Sequence, residues 1–343
     1  MMGIEAYRAF RKLEARAILV SVLIIPVLVA VWIVGCNGPF DPRAPLEQQL
    51  VVFSVLSTDR NVQFVRVNSN YMPVGFDPNT YDADNSVRDA SVSLTGDGKF
   101  LTFRDTTVAR PDTSRYNFPM RMYTLGNFVP QRGKSYNMLV STPSLGVASA
   151  SVSVPAKSTI VLDDASWIRL SDPITRKPEE SIQFNVDLSP IAKGYAYHLY
   201  IYYDVLKNAR WQEERFELPL TPSPEDTSYS LGSPEYFPLT QSPQSNKAFV
   251  QFKVGYLQTI IKKLTKVQYS DTHLIYKWIV LVVLQADQNL FGYYKSLRTY
   301  QDPLSIRLDQ PLYSKIDGGI GLVGAYTLDS LTFILPENFN GNR

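Results

Sequence analysis

The chain reads as a mainly β protein: two antiparallel β-sandwich domains behind an N-terminal hydrophobic segment, with few helices. Three observations carry this reading. From Leu46 onward the apolar residues fall in short runs rich in Val, Ile, Phe and Tyr, the side chains that fit a pleated surface. Clusters of Gly, Asn, Asp, Ser and Pro separate those runs, with little of the intervening helical periodicity that a βαβ fold requires. The length, 343 residues, suits about two domains of roughly 100–200 residues each.

Composition narrows the class further. With 45% apolar residues and only 18 Gly, the chain is neither disordered nor collagenous. Lys and Arg number 34 against 32 Asp and Glu, so no basic field invites nucleic acid. Two His and one Cys in the whole chain exclude a disulfide framework, a Cys-rich zinc module and any three-histidine site.

Residues 1–35 form the first element. Arg8, Arg11, Lys12 and Arg16 outweigh Glu5 and Glu14, and Ala17–Val34 is an uncharged 18-residue run. A positive region before an apolar run is the pattern of an export signal, and its length also reaches the lower limit of a spanning helix. The end of the run separates the two readings. Ile33-Val34-Gly35-Cys36 resembles the lipobox of bacterial lipoproteins. That resemblance implies a diacylglyceryl group on the Cys36 thiol and cleavage between Gly35 and Cys36. Each buried acyl CH₂ contributes about 0.8 kcal/mol, so two or more chains anchor a protein stably to a membrane. Without residues 1–35 the chain balances 30 basic against 30 acidic side chains.

Residues 36–45 hold Pro39, Pro42 and Pro45, a semi-rigid tether that spans up to roughly 30 Å at about 3.1 Å per residue. By resemblance to known lipoproteins, Asn37 in place of Asp favours the outer membrane over the inner. Residues 46–156 form the first sandwich, the size of one immunoglobulin-like domain. LVVFSVL, VQFVRV, ASVSL, KFLTF, SYNMLVST and VASASVSVP alternate as half-buried strands. Gly96-Asp97-Gly98 joins two of them in a tight hairpin.

The second β-rich domain, residues 157–336, follows the boundary Pro155-Ala156-Lys157, and 337–343 form a tail. IQFNVDL, YAYHLYIYYDVL, AFVQFKVGYL and HLIYKWIVLVVLQA are its strands, the last buried on both faces. Leu257, Ile260, Ile261 and Leu264 share one helical face, and a second helix is expected over Gln288–Leu297. Leu218–Gln244 is a Pro-, Ser- and Thr-rich loop, long for a compact domain.

The closing sequence SIRLDQPLYSKIDGGIGLVGAYTLDSLTF resembles that of bacterial envelope lipoproteins of the domain-of-unknown-function 4249 family. Tyr313–Ala325 follows its glycine-rich turn pattern, FGYYKSL its aromatic helix, and LVVFSVL, DASVSLTGDG and GKSYNMLVST its earlier segments in order. The resemblance implies a two-part β-sandwich lipoprotein of the envelope, associated with TonB-dependent transporters and without an assigned activity.

Several motifs have two readings. Gly319, Gly321 and Gly324 spell GxGxxG, but a dinucleotide fold needs a following helix and an acidic residue about 20 positions on. Turns or close backbone approach explain them better, and no cofactor is expected. Asp77, Asp82 and Asp84 are the weak calcium candidates in FDPNTYDADNSVRD, which lacks the Gly and closing Glu of an EF-hand. The adjacent pairs Asp163-Asp164, Glu179-Glu180 and Glu213-Glu214 point to opposite sides if they lie on strands, unlike the facing carboxyls of glycosidases. His198 and His273 sit in aromatic strand-like runs as structural residues or general bases.

Alternation along Tyr195–Tyr203 puts Tyr195, Tyr197, Leu199, Ile201 and Tyr203 on a core face. His198, Tyr200 and Tyr202 share the opposite face. They either pack beneath the Pro-rich loop or present an aromatic platform to a glycan or peptide. The expected function is a lipid-anchored, non-enzymatic outer-membrane accessory that binds a ligand or partner, such as a transporter. A lipid-anchored hydrolase and a single-span membrane protein with the same exported body are the alternatives.

Overall fold

The structure is a computed structural model and describes residues 46–72, 82–111, 113–114, 116, 118–171, 180–218, 239–264, 274–300 and 313–334. Cys36, Asp77, His273, the 17–34 run and the 219–238 loop lie outside these residues. Residues from Gln48 onward make one compact unit. Its first strands are β1 (Leu50–Ser57), β2 (Val62–Ser69), β3 (Ser91–Gly96), β4 (Lys99–Thr102), β5 (Arg104–Val108), β6 (Met120–Gly126), β7 (Ser135–Thr142) and β8 (Gly146–Ser153). Then come β9 (Thr159–Leu162), helix α1 (Asp164–Ser171), β10 (Ser181–Asp187), β11 (Gly194–Lys207), β12 (Arg210–Leu218), β13 (Thr240–Gln241) and β14 (Lys247–Lys253). Helix α2 (Val254–Lys263), β15 (Leu274–Ala286), helix α3 (Gln288–Tyr300) and β16 (Gly319–Phe333) complete the described elements.

The expected strands form because their alternation is real: β7 SYNMLVST and β14 KAFVQFK bury every second residue, the period of a pleat. Asp97 and Gly98 both take positive φ, 51° and 69°, and make the primed turn that suits a twisted hairpin. The two anticipated helices appear as α2 and α3. Helix α1 was not anticipated, being only eight residues long. Asp163 starts it by accepting from Ala165 N at 3.0 Å, and Trp167 packs edge-on against Phe333.

A nine-stranded sheet runs β12-β11-β15-β16-β1-β2-β6-β5, with β13 on β11. Two smaller sheets, β4-β3-β7-β8 and β14-β10-β9, accompany it. One core gathers Leu50, Val65, Tyr123 and Val323 from the large sheet with Leu94, Met138 and Ala150 from the four-stranded one. The other gathers Leu199, Ile201, Leu281 and Phe333 with Phe184, Val250 and helix α2. The arrangement is therefore sandwich-like in each half.

It differs from two separate antiparallel sandwiches in one respect. Strands from both sides of the expected boundary share one sheet, joined where β1 runs parallel to β16 from Leu50↔Gly319 to Ser57↔Tyr326. Pairing between chain ends leaves no local mark in a sequence, since alternation reports burial and not the partner.

The connector at Pro155–Lys157 is held at the line between the two cores. Gln285, fully buried, accepts from Ser189 N at 2.6 Å and donates to Ala156 O at 3.0 Å. Asp329 accepts from Ser158 N at 2.8 Å and Oγ at 2.9 Å and pairs with Arg132. Removing the carboxylate strands the N–H and hydroxyl of buried Ser158 at once, and each lost partner costs about 1–3 kcal/mol. Asp329→Ala should therefore lower unfolding stability by about 2–4 kcal/mol in urea denaturation. A loss under about 0.5 kcal/mol, typical of a surface site, would show that the connector is held by packing alone.

Candidate functional site

The glycine run lies inside strand β16 rather than in a loop opening onto a helix, so the dinucleotide geometry is not formed there. Each glycine lets another backbone come close. Gly321 takes φ +123°, and a Cβ on it would meet Val52 O at 2.1 Å. At Gly324 a Cβ would meet Leu290 Cβ at 2.9 Å, which is how α3 reaches the sheet.

Asp287 clamps that contact. It caps α3 by accepting from Leu290 N at 2.9 Å, and the same Oδ1 accepts from Ala325 N at 3.1 Å. Asn289 adds bonds to Ser151 O and Val323 O, at 2.9 and 2.8 Å. Leu290 and Phe291 then bury against Ala196, Leu239, Ala286 and Leu322. Sequence reasoning had no marker for Asp287 beyond its place before a helix.

Burial pushes the Asp287 carboxyl up to about 6 even though backbone N–H groups pull it down. The folded value lies above the ordinary one of 3.8. Its stabilising contribution is therefore complete below about pH 4 and is lost as pH rises through about 6. Asp287→Asn keeps an acceptor and removes the titration. From pH 4 to pH 7 the variant should gain about 2–3 kcal/mol on the parent, read from urea midpoints at each pH. A difference constant with pH would mean that folding leaves the carboxyl's pKa at its ordinary value.

The predicted platform lies on the flank of the nine-stranded sheet, where Tyr195, Leu199, Ile201 and Tyr203 face the core, as the alternation implies. His198 is buried, with Nδ1 2.5 Å from Glu217 Oε1, and Tyr200 stacks beside it, centroids 6.2 Å apart. Arg215 lies 5.0 Å above the Tyr200 ring. Tyr202 lies 6.0 Å from Trp278, its register partner on β15. A bulge beside this pair leaves Lys277 outside the ladder register. Its Nζ sits 4.4 Å over Trp278 and 2.6 Å from Glu213. The Glu213 hydrogen bond, with Asp204 nearby, raises the Lys277 pKa.

The structure thus brings His198, Tyr200 and Tyr202 together with Glu217, Arg215, Lys277 and Trp278, which sequence reasoning missed. Alternation along RWQEERFEL could have found the β12 members, because Glu213, Arg215 and Glu217 share one face. Glu213 and Glu214 do part to opposite faces, toward Lys277 and Lys207 respectively.

Of the calcium candidates, Asp84 accepts from Ser86 N at 3.0 Å and pairs with Arg88 at 3.3 Å. Among the described residues no group of three or more His, Cys, Asp or Glu could hold a metal. Among the same residues no helix is long and apolar enough to cross a membrane.

A large mixed sheet faced by two smaller ones, with a clamped helix and a polar-aromatic flank, defines a β-rich class of protein. A family model matches residues 38–332, and the chain belongs to that family, the domain of unknown function DUF4249. No curated protein matches the chain significantly.

Proposed function

We propose that the chain is exported, anchored to the outer membrane by acyl chains on Cys36, and acts as a non-enzymatic accessory. On this reading its body binds a glycan, a peptide or an envelope partner, such as a TonB-dependent transporter beside which it would sit. Each core with its own small sheet would be an immunoglobulin-like sandwich, fused to the other along β16. The observation that carries the reading is the position of the sole cysteine, two residues before the family region begins at residue 38. The Tyr200–Tyr202–Trp278 flank supports a binding role, because aromatic rings with polar rims give large contact area at low ordering cost.

The His198–Glu217 contact of 2.5 Å favours one second reading, a lipid-anchored hydrolase acting on envelope glycans or peptides. A carboxylate that orients an imidazole is the arrangement of a general base.

Protein taken from native membranes should begin at Cys36 and carry acyl mass in N-terminal peptide mass spectrometry, and Cys36→Ser should free the body from the membrane. An intact Met1 with an unmodified Cys36 would overturn the anchor and make residues 17–34 a span. Tyr202→Ser with Trp278→Ser should abolish partner crosslinking while His198→Gln leaves it intact. Loss of a measured turnover in His198→Gln would decide for the hydrolase.

A further inference from the structure

The edge strands of the two smaller sheets differ in what guards them. Strand β8 is covered, since Ser149 N and Asp317 N each donate to the other residue's carbonyl, at 2.9 and 2.8 Å, and Asn289 Nδ2 donates to Ser151 O at 2.9 Å. Strands β4 and β9 hold only four residues each. Strand β14, the edge of the sheet β14-β10-β9, is longer: KAFVQFK has seven residues with no Pro, no Gly and no carboxylate. Its register with β10 runs unbroken from Ser181↔Lys253 to Asp187↔Lys247.

Two hydrogen bonds fix which way the backbone of β14 points. At the ends of the ladder Leu188 N donates to Asn246 O and Val254 N to Glu180 O, both at 2.7 Å. In an antiparallel pair, residues that bond across alternate with residues that do not. Ala248, Val250 and Phe252 therefore direct their backbone groups to β10. Phe249 and Gln251 direct theirs the other way, where no described strand lies. The side chains follow the same alternation. Ala248, Val250 and Phe252 enter the core, Gln251 is exposed, and Phe249 is 74% exposed, more than any other large apolar side chain among the described residues. Lys247 and Lys253, both exposed, stand at the two ends. A charge or a proline within an edge strand ordinarily blunts it, whereas the middle of β14 carries Phe249 and Gln251.

We propose that the β14 edge binds an extended acidic segment of a partner protein, which adds to the three-stranded sheet as a further strand. Phe249 and Gln251 each offer an N–H and a C=O, and main-chain bonds of this kind supply affinity for any extended peptide. Side chains supply the choice. The peptide residue opposite Phe249 gains from being apolar, and those opposite Lys247 and Lys253 gain from being acidic. Asp187 lies across the ladder from Lys247 and Ser181 across from Lys253, so Lys253 selects charge more strongly. A second copy of the chain fits less well. Two β14 strands paired antiparallel in full register would set Lys247 against Lys253 at both ends, and like charges directly opposite destabilise a pair. The proposal rests neither on the anchor nor on the Tyr200–Tyr202–Trp278 flank.

The test is fluorescence polarisation of the full chain with a labelled Glu-Thr-Thr-Thr-Val-Thr-Glu peptide, which sets valine opposite Phe249 and a glutamate opposite each lysine. N-methylvaline in place of that valine removes one backbone donor and should weaken binding about fivefold or more. Lysine in place of both glutamates should weaken it about tenfold. Phe249→Pro removes the edge N–H and leaves the β10 ladder intact, so it should weaken binding about tenfold or more. Phe249→Thr keeps the N–H and should retain more of the affinity. Lys253→Glu should weaken the acidic peptide about fivefold and tighten the lysine peptide. Phe100→Ser, at an exposed ring on β4, should bind like the parent. Circular dichroism checks folding, and the N-methyl peptide tests the edge without altering the chain. Equal binding by Phe249→Pro and the parent, no preference between the acidic and lysine peptides, or no binding at millimolar peptide overturns the proposal. A dimer in sedimentation that Phe249→Pro dissolves also overturns it, by assigning the edge to a second copy.

Discussion

Strand β16 has to satisfy different neighbours along its length, and the body is built around that requirement. Its first half lies parallel to β1 and its second half antiparallel to β15, from Ala286↔Tyr326 to Ile279↔Phe333. Its inward side chains serve both cores, Val323 and Ala325 in one and Phe333 in the other. Side chains alternate with a period of two, so a one-residue slip would expel all of them from their cores together. Gly321 and Gly324 oppose such a slip, because each stands where another backbone or side chain leaves no room for a Cβ. A sheet whose central pairing joins residue 50 to residue 319 must close a long loop before that contact forms, which predicts slow folding.

Between the two cores the same strand turns polar. Thr327 and Asp329 face inward beside Gln285, and all three are buried. An apolar substitute would avoid their desolvation, but it would leave the backbone at Ala156, Ser158 and Ser189 without partners. A satisfied buried network of this kind specifies one path for the connector. Apolar packing alone would let the two halves slide. The polar line therefore divides one body into two cores without separating it into two independent pieces.

Local structure was legible in the sequence and pairing was not. Period-two alternation exposed β7, β8, β10, β11 and β14, and Asp97-Gly98 exposed its hairpin, because both signals are written within a few residues. The shared face of Leu257, Ile260, Ile261 and Leu264 exposed α2, and all four are buried. Helix α1 escaped because eight residues with one large anchor, Trp167, carry too little periodicity. At the platform, alternation sorted β11 correctly into two faces. Trp278 and Arg215 joined Tyr202 and Tyr200 only through cross-strand pairing, which no single strand records.

The edges and faces of the large sheet differ in what they offer a partner. At one edge β12 carries Arg210, Glu213, Glu214, Arg215 and Glu217, and at the other β5 has five residues including Arg104 and Asp105. Charged or short edge strands discourage the addition of another strand, so recognition by backbone pairing is disfavoured there. On the outward face α3 occupies the centre, fixed by Asp287 and filled in by Leu290 and Phe291. That leaves two flanks of different character. The β11–β12–β15 flank mixes aromatic rings with carboxylates already engaged by Lys277 and His198, which suits a neutral, hydroxyl-rich or peptidic surface. The β1–β2 flank exposes Phe53, Phe64 and Arg66 instead. Helix α3 stands between them, with Tyr293 against Phe53 of β1, so one sheet meets a partner through two separate surfaces.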